Sequence, residues 1–164
     1  MKGVILINKY KRRRSLNKAK QWLVFTGYVA FAWSMLFGLI HIYWAAGGTI
    51  GFEGRKMSEV LFMINLLAIV LCFLAAFIAL ALVQAWGQNI PKWILFTSTW
   101  TACVVLTLRG GVGITQSMLQ PETPPLLFII VEPYFLLGGI LFGLSAFLYF
   151  SSNTNMKKQR REKI

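Results

Sequence analysis

Apolar residues run almost uninterrupted through four windows of this chain, residues 22–46, 57–86, 93–113 and 126–150, with polar residues collected between them. Crossing roughly 30 Å of hydrocarbon takes about 20 predominantly apolar residues in a helix, so each window predicts one membrane span. Trp22, Trp44, Trp86 and Trp93 stand at window ends, where an amphipathic ring anchors a helix at the headgroup level. The expected fold is an all-α, four-helix transmembrane bundle. A basic tail precedes it (residues 1–21), and a second basic tail follows it (residues 151–164).

Composition agrees with that class: 57% of residues are hydrophobic and only 13% charged, with a mean hydropathy of +0.62, which a soluble domain does not carry. A cleavable signal peptide is the alternative for the first window, because a basic flank precedes it. Signal apolar regions run about 7 to 15 residues, and this one is longer and is followed by further spans, so it reads as an anchor.

Charge sets the expected orientation. Eight Lys/Arg precede the first span and five follow the last. The positive-inside bias then places both termini in the cytoplasm of a multi-pass cell-membrane protein. The turn bearing Lys92 is also expected inside, and the loops after the first and third spans outside. The net charge of +12 could suggest nucleic acid, but it lies in tails beside the membrane, where it attracts anionic lipid. Membrane lipids are therefore the expected partners and nucleic acid is not. The tails lack apolar periodicity and read as disordered or lipid-bound.

His41, Asn65, Arg109 and Glu132 lie inside the apolar windows. An intramembrane charge costs about 2.5 to 3.5 kcal/mol even on the lenient insertion scale, so such groups face the bundle interior or water. Counting 1.5 Å of rise per residue puts all four roughly 6 to 10 Å inside the same end of the bundle. Each also shares a stripe of small residues at helical spacing: Gly38, Ser34 and Ala30 behind His41; Cys72, Ala76 and Ala79 beyond Asn65; Ala102 and Ser98 behind Arg109; Gly139, Gly143 and Ala146 beyond Glu132. Small residues mark helix contacts in membranes, so the four side chains are expected to converge in the interior. Tyr43, Trp44 and Tyr134 would form a rim. The glycines around Arg109 read as a fraying helix end, and Glu132-Pro133 as either a kink or a helix restart.

The elements His41-Ile42-Tyr43-Trp44-Ala45-Ala46-Gly47-Gly48, Leu108-Arg109-Gly110 and Glu132-Pro133-Tyr134 resemble an uncharacterised family of small bacterial four-span membrane proteins. The resemblance covers residues 22–150 and implies the architecture without implying an activity.

Several functions fit the polar layer. One is a non-enzymatic binding or accessory protein that holds a lipid headgroup, a small lipophilic molecule or a partner membrane protein, with Arg109 as a fixed cation. Another is a small membrane enzyme with His41 or Glu132 as acid-base groups. A third is a proton-coupled or small-solute transporter acting as a homo-oligomer. The groups could also form a helix clasp without ligand. A single histidine, with Met35 or Met63 as a second ligand, could in principle hold haem. Cys72 and Cys103 lack metal-ligand spacing and read as packing residues, so the expected metal, cofactor and catalytic sets are empty.

Overall fold

The computed structural model describes the backbone of residues 2–51, 57–119 and 126–161, and side chains for 14–51, 57–116, 118–119, 130–152 and 154. Among the described residues there are four α-helices: α1 (Lys2–Ala45), α2 (Glu59–Val83), α3 (Lys92–Leu119) and α4 (Leu126–Arg161). Within them Arg14–Ala45, Glu59–Val83, Lys92–Gln116 and Ile130–Ser152 are each long and apolar enough to cross a membrane. The protein is a polytopic, all-α membrane protein. Most of the outer loop segments expected from the sequence, residues 52–56 and 120–125, lie outside the described residues.

Helix boundaries follow local chemistry. Ser58 caps α2 by accepting the Leu61 N–H at 3.3 Å, with Glu59 in the first turn where an acidic group favours the helix dipole. At its other end α2 stops at Val83, short of the expected residue 86, and Gln84 is extended. A short 3-10 helix, Ala85–Asn89, then makes the turn to α3. Gly87 is buried against the Ala81 carbonyl, leaving no room for a Cβ. The first helix ends at Ala45 and the chain turns at Gly47, whose φ of 95° is left-handed and suits a glycine stop.

Three segments extend beyond the expected windows. α1 is helical from Lys2 and α4 runs to Arg161, so most of each basic tail continues its span as helix. Propagation from an established helix costs far less than nucleation, and Lys, Arg, Leu and Ala are good helix formers. α3 passes through Gly110, Gly111 and Gly113 to Leu119 instead of fraying there. Gly110 and Gly113 are buried against the Glu132 backbone and carboxylate respectively, so helix contact offsets the entropic cost of glycine. Pro133 lies inside α4, which excludes a restart at Glu132, although the ring deprives the Ile129 carbonyl of its usual donor.

α1 packs chiefly against α2 and α4, and α3 against α4, while α2 and α3 touch much less. The core reflects that order. Ala30, Trp33 and Phe37 of α1 meet Cys72 and Ala79 of α2 and Leu141 and Phe142 of α4. A second cluster, Ala81, Leu82 and Leu95, closes the other end. The expected Gly139/Gly143 pair does bring α4 close to α3, with Gly139 on Thr107 and Gly143 on Cys103. Gly138 faces the opposite way and lies against the Trp33 ring.

α3 is the least apolar span, with mean hydropathy 1.2 against 3.2 for α2, yet the least covered. Its threonines explain how it tolerates exposure. Thr97 donates to the Trp93 carbonyl at 2.8 Å and Thr115 to the Gly111 carbonyl at 2.9 Å, so their hydroxyls need no external acceptor.

Gly138→Ala should destabilise the protein by about 1–3 kcal/mol, because the new Cβ meets a rigid, buried indole. Gly111→Ala, whose Cβ meets nothing within 4 Å, should be neutral or stabilising. Denaturant unfolding in detergent compares the two, and equal effects would contradict this packing.

Candidate functional site

The four intramembrane polar residues form two hydrogen-bonded pairs. On the α1–α2 side, the Asn65 amide bonds His41 twice. Asn65 Nδ2 donates to the His41 main-chain carbonyl at 2.9 Å, and Asn65 Oδ1 lies 2.6 Å from His41 Nδ1. An amide oxygen only accepts, so a proton sits on Nδ1 in this contact, which leaves Nε2 as the other ring nitrogen. That Nε2 is buried and has no hydrogen-bond partner among the described residues. Edge-to-face contacts with Phe37 and Trp44, at 4.5 and 5.2 Å between centroids, fix the ring plane.

On the α3–α4 side, Arg109 Nη1 donates to both carboxylate oxygens of Glu132, at 2.9 and 2.7 Å. The pair is asymmetric: the Glu132 side chain is 2% exposed, whereas that of Arg109 is 45% exposed. Gly113 makes room for the carboxylate. The guanidinium also lies over the Phe135 ring, 4.8 Å from its centroid, a cation–π arrangement.

An aromatic layer separates the pairs. Phe37 contacts His41 on one side and Phe135 on the other, the latter at 5.1 Å between centroids, and Phe135 carries Arg109. The four groups therefore share one end of the bundle, but as two pairs divided by rings and not as one cluster. The small-residue stripes explain the difference. On α1, α2 and α4 they are buried: Ala30 and Ser34, Cys72 and Ala76, Ala146 among others. On α3 the stripe behind Arg109 is half-buried at Ser98 and Ala102, which packs against the core, and 56% exposed at Val105, while the fully buried line runs through Leu95, Thr99, Gly110 and Gly113. Arg109 stands beside the interior and reaches sideways to Glu132.

Of the expected rim, Tyr43 is exposed and packs on Gly48, and Trp44 donates its indole N–H to the Ile50 carbonyl at 2.9 Å. Tyr134 is not at the rim. Its ring stacks on Trp33 at 4.8 Å, its hydroxyl donates to the Trp33 carbonyl at 2.8 Å, and the Trp33 indole returns a bond to the Tyr134 carbonyl at 3.2 Å. This reciprocal α1–α4 clasp is the feature missed in the sequence. Its signal was a tryptophan in the middle of a span, where the indole N–H requires an acceptor inside the protein.

Shallow grooves run along outer faces of α1 and α3 and the start of α2, and none of the four polar residues lines them. Among the described residues, no three His, Cys, Asp or Glu side chains are placed to hold a metal ion.

Residues 34–142 match the model of a family described as "Protein of unknown function (DUF3995)". The chain belongs to this family. The DUF3995 segment contains both polar pairs and the Phe37–Phe135 contact, and omits the basic extensions of α1 and α4. No curated protein and no solved structure matches the chain.

Removing Arg109 alone strands a buried carboxylate. Arg109→Gln should therefore cost about 3–5 kcal/mol, and adding Glu132→Gln should restore most of it. Denaturant unfolding of the two single variants and the double variant measures the coupling, and strictly additive losses would contradict a direct pair. Asn65→Leu should cost about 1–3 kcal/mol, since it leaves Nδ1 and a carbonyl without their partners.

Proposed function

We propose that this DUF3995 chain is a non-enzymatic binding or accessory protein of the cell membrane, with both termini cytoplasmic, whose outer polar layer presents Arg109 to an anionic group. The observation that carries the reading is the asymmetry of the ion pair. A clasp needs only the two charges to meet, and both could be buried. Here the carboxylate is enclosed and the guanidinium faces out of the bundle, with N–H groups beyond those given to Glu132. Glu132 and Phe135 hold the cation in place, which reduces the entropy lost when a carboxylate or phosphate is bound.

Acid-base catalysis receives less support. His41 and Glu132 would have to address one reacting atom, and each is committed to its own pair with Phe37 and Phe135 between them. A transport route is likewise disfavoured by the packing beneath the polar layer, where Trp33, Phe37 and Phe142 fill the interior.

The test is mass spectrometry of small molecules extracted from gently purified protein. The parent should carry an anionic molecule that the folded Arg109→Gln/Glu132→Gln protein lacks. This pair of changes removes the cation without stranding a carboxylate. Identical extracts from the two proteins would refute the reading.

A further inference from the structure

At the opposite end of the bundle from Arg109, α1 carries a groove of about 800 Å³. Its residues recur at helical spacing and change character with depth: Asn17, Lys20 and Gln21 come first, then Val24, Tyr28 and Ala32. We propose that this groove binds one anionic phospholipid, its phosphate at Lys20, Asn17 and Gln21 and an acyl chain along Val24 to Ala32. The site is independent of the Arg109 reading.

Length, polarity and charge each support that occupant. From residue 17 to residue 32 the helix rises roughly 22 Å, close to half of a bilayer about 40–45 Å thick including headgroups. The groove thus spans one leaflet from headgroup to midplane. One of the side chains lining it is tethered: Gln84, the residue that ends α2, donates Nε2 to the Tyr28 hydroxyl at 2.7 Å. Trp22 and Phe25 stand edge to face beside it, 6.0 Å apart, at the level where an aromatic anchor belongs.

The charge is complementary to a phosphate and to nothing cationic. Lys20 supplies an ammonium, Asn17 and Gln21 supply amide donors, and no acidic residue occurs anywhere in α1. A zwitterionic headgroup would leave its amine without a carboxylate. A partner helix is a poorer fit, because close helix approach requires small residues and Val24, Phe25 and Tyr28 occupy this face. An acyl chain is narrow enough to lie between them.

Full-length protein is reconstituted in bilayers of equal phosphatidylglycerol and phosphatidylcholine with matched chains, then released for native mass spectrometry. The parent should retain phosphatidylglycerol over phosphatidylcholine by roughly fivefold or more, the effect of one well-placed lysine worth about 1 kcal/mol. Lys20→Gln should bring the ratio close to one. Lys18→Gln, which removes an exposed lysine of the same helix that does not line the groove, should leave it unchanged. Ala32→Trp, filling the deep end, should reduce retention of both lipids while circular dichroism reports intact helices. Equal retention of the two lipids by the parent, an equal response to Lys18→Gln and Lys20→Gln, or a lipid-free dimer as the dominant species would overturn the proposal. The Arg109→Gln/Glu132→Gln protein should keep the Lys20 dependence, which separates this site from the other.

Discussion

Hydrocarbon offers no hydrogen-bond partner and little relief for charge, so polar groups inside the spans are driven to pair within the protein. That requirement organises the loop end of the bundle. Asn65 is committed to the His41 ring and the carbonyl of the same residue, and Glu132 is committed to Arg109. Each commitment crosses between two helices, α1 to α2 and α3 to α4. The Trp33–Tyr134 exchange, two hydrogen bonds between α1 and α4, ties the two halves together. Three polar links thus run in the order α2, α1, α4, α3, the order in which the helices pack most closely. Polar pairing and apolar packing select the same neighbours, and that agreement across levels is what makes a fold specific.

Glycine lets these links close. Gly113 admits the Glu132 carboxylate, Gly138 admits the Trp33 ring and Gly139 admits Thr107. Without a hydrophobic drive between helices in lipid, close contact of this kind carries much of the association. The polar layer and the glycine contacts therefore depend on each other: a carboxylate can be enclosed only where the facing helix has no side chain.

Much of this was legible in the sequence, for specific reasons. The four spans follow from apolar length alone. The facing of His41, Asn65 and Glu132 follows from the small residues that share their stripes, which are buried on α1, α2 and α4. On α3 the same reasoning chose a face about one residue away from the buried line. The arginine side chain is long enough to meet its partner from a flanking position, so its own Cα need not point inward. Tyr134 was misplaced because an aromatic residue near a span end is usually an interfacial anchor, and only tertiary structure shows that its hydroxyl serves Trp33. The helical continuation of the tails was hidden for a different reason: composition without apolar periodicity does not register that a span already supplies the nucleus.

The central claim is that a buried Glu132 carboxylate holds an outward-facing Arg109 in the bilayer. Solid-state NMR of isotopically labelled protein in lipid bilayers tests it most directly, through the dipolar coupling between the arginine side-chain nitrogens and the glutamate carboxyl carbon. The account requires a strong coupling from one Arg109 Nη to a carboxyl with the shift of an ionised group, consistent with the 2.7 Å contact. An uncoupled Arg109, or a Glu132 with the shift of a protonated acid at neutral pH, would contradict it.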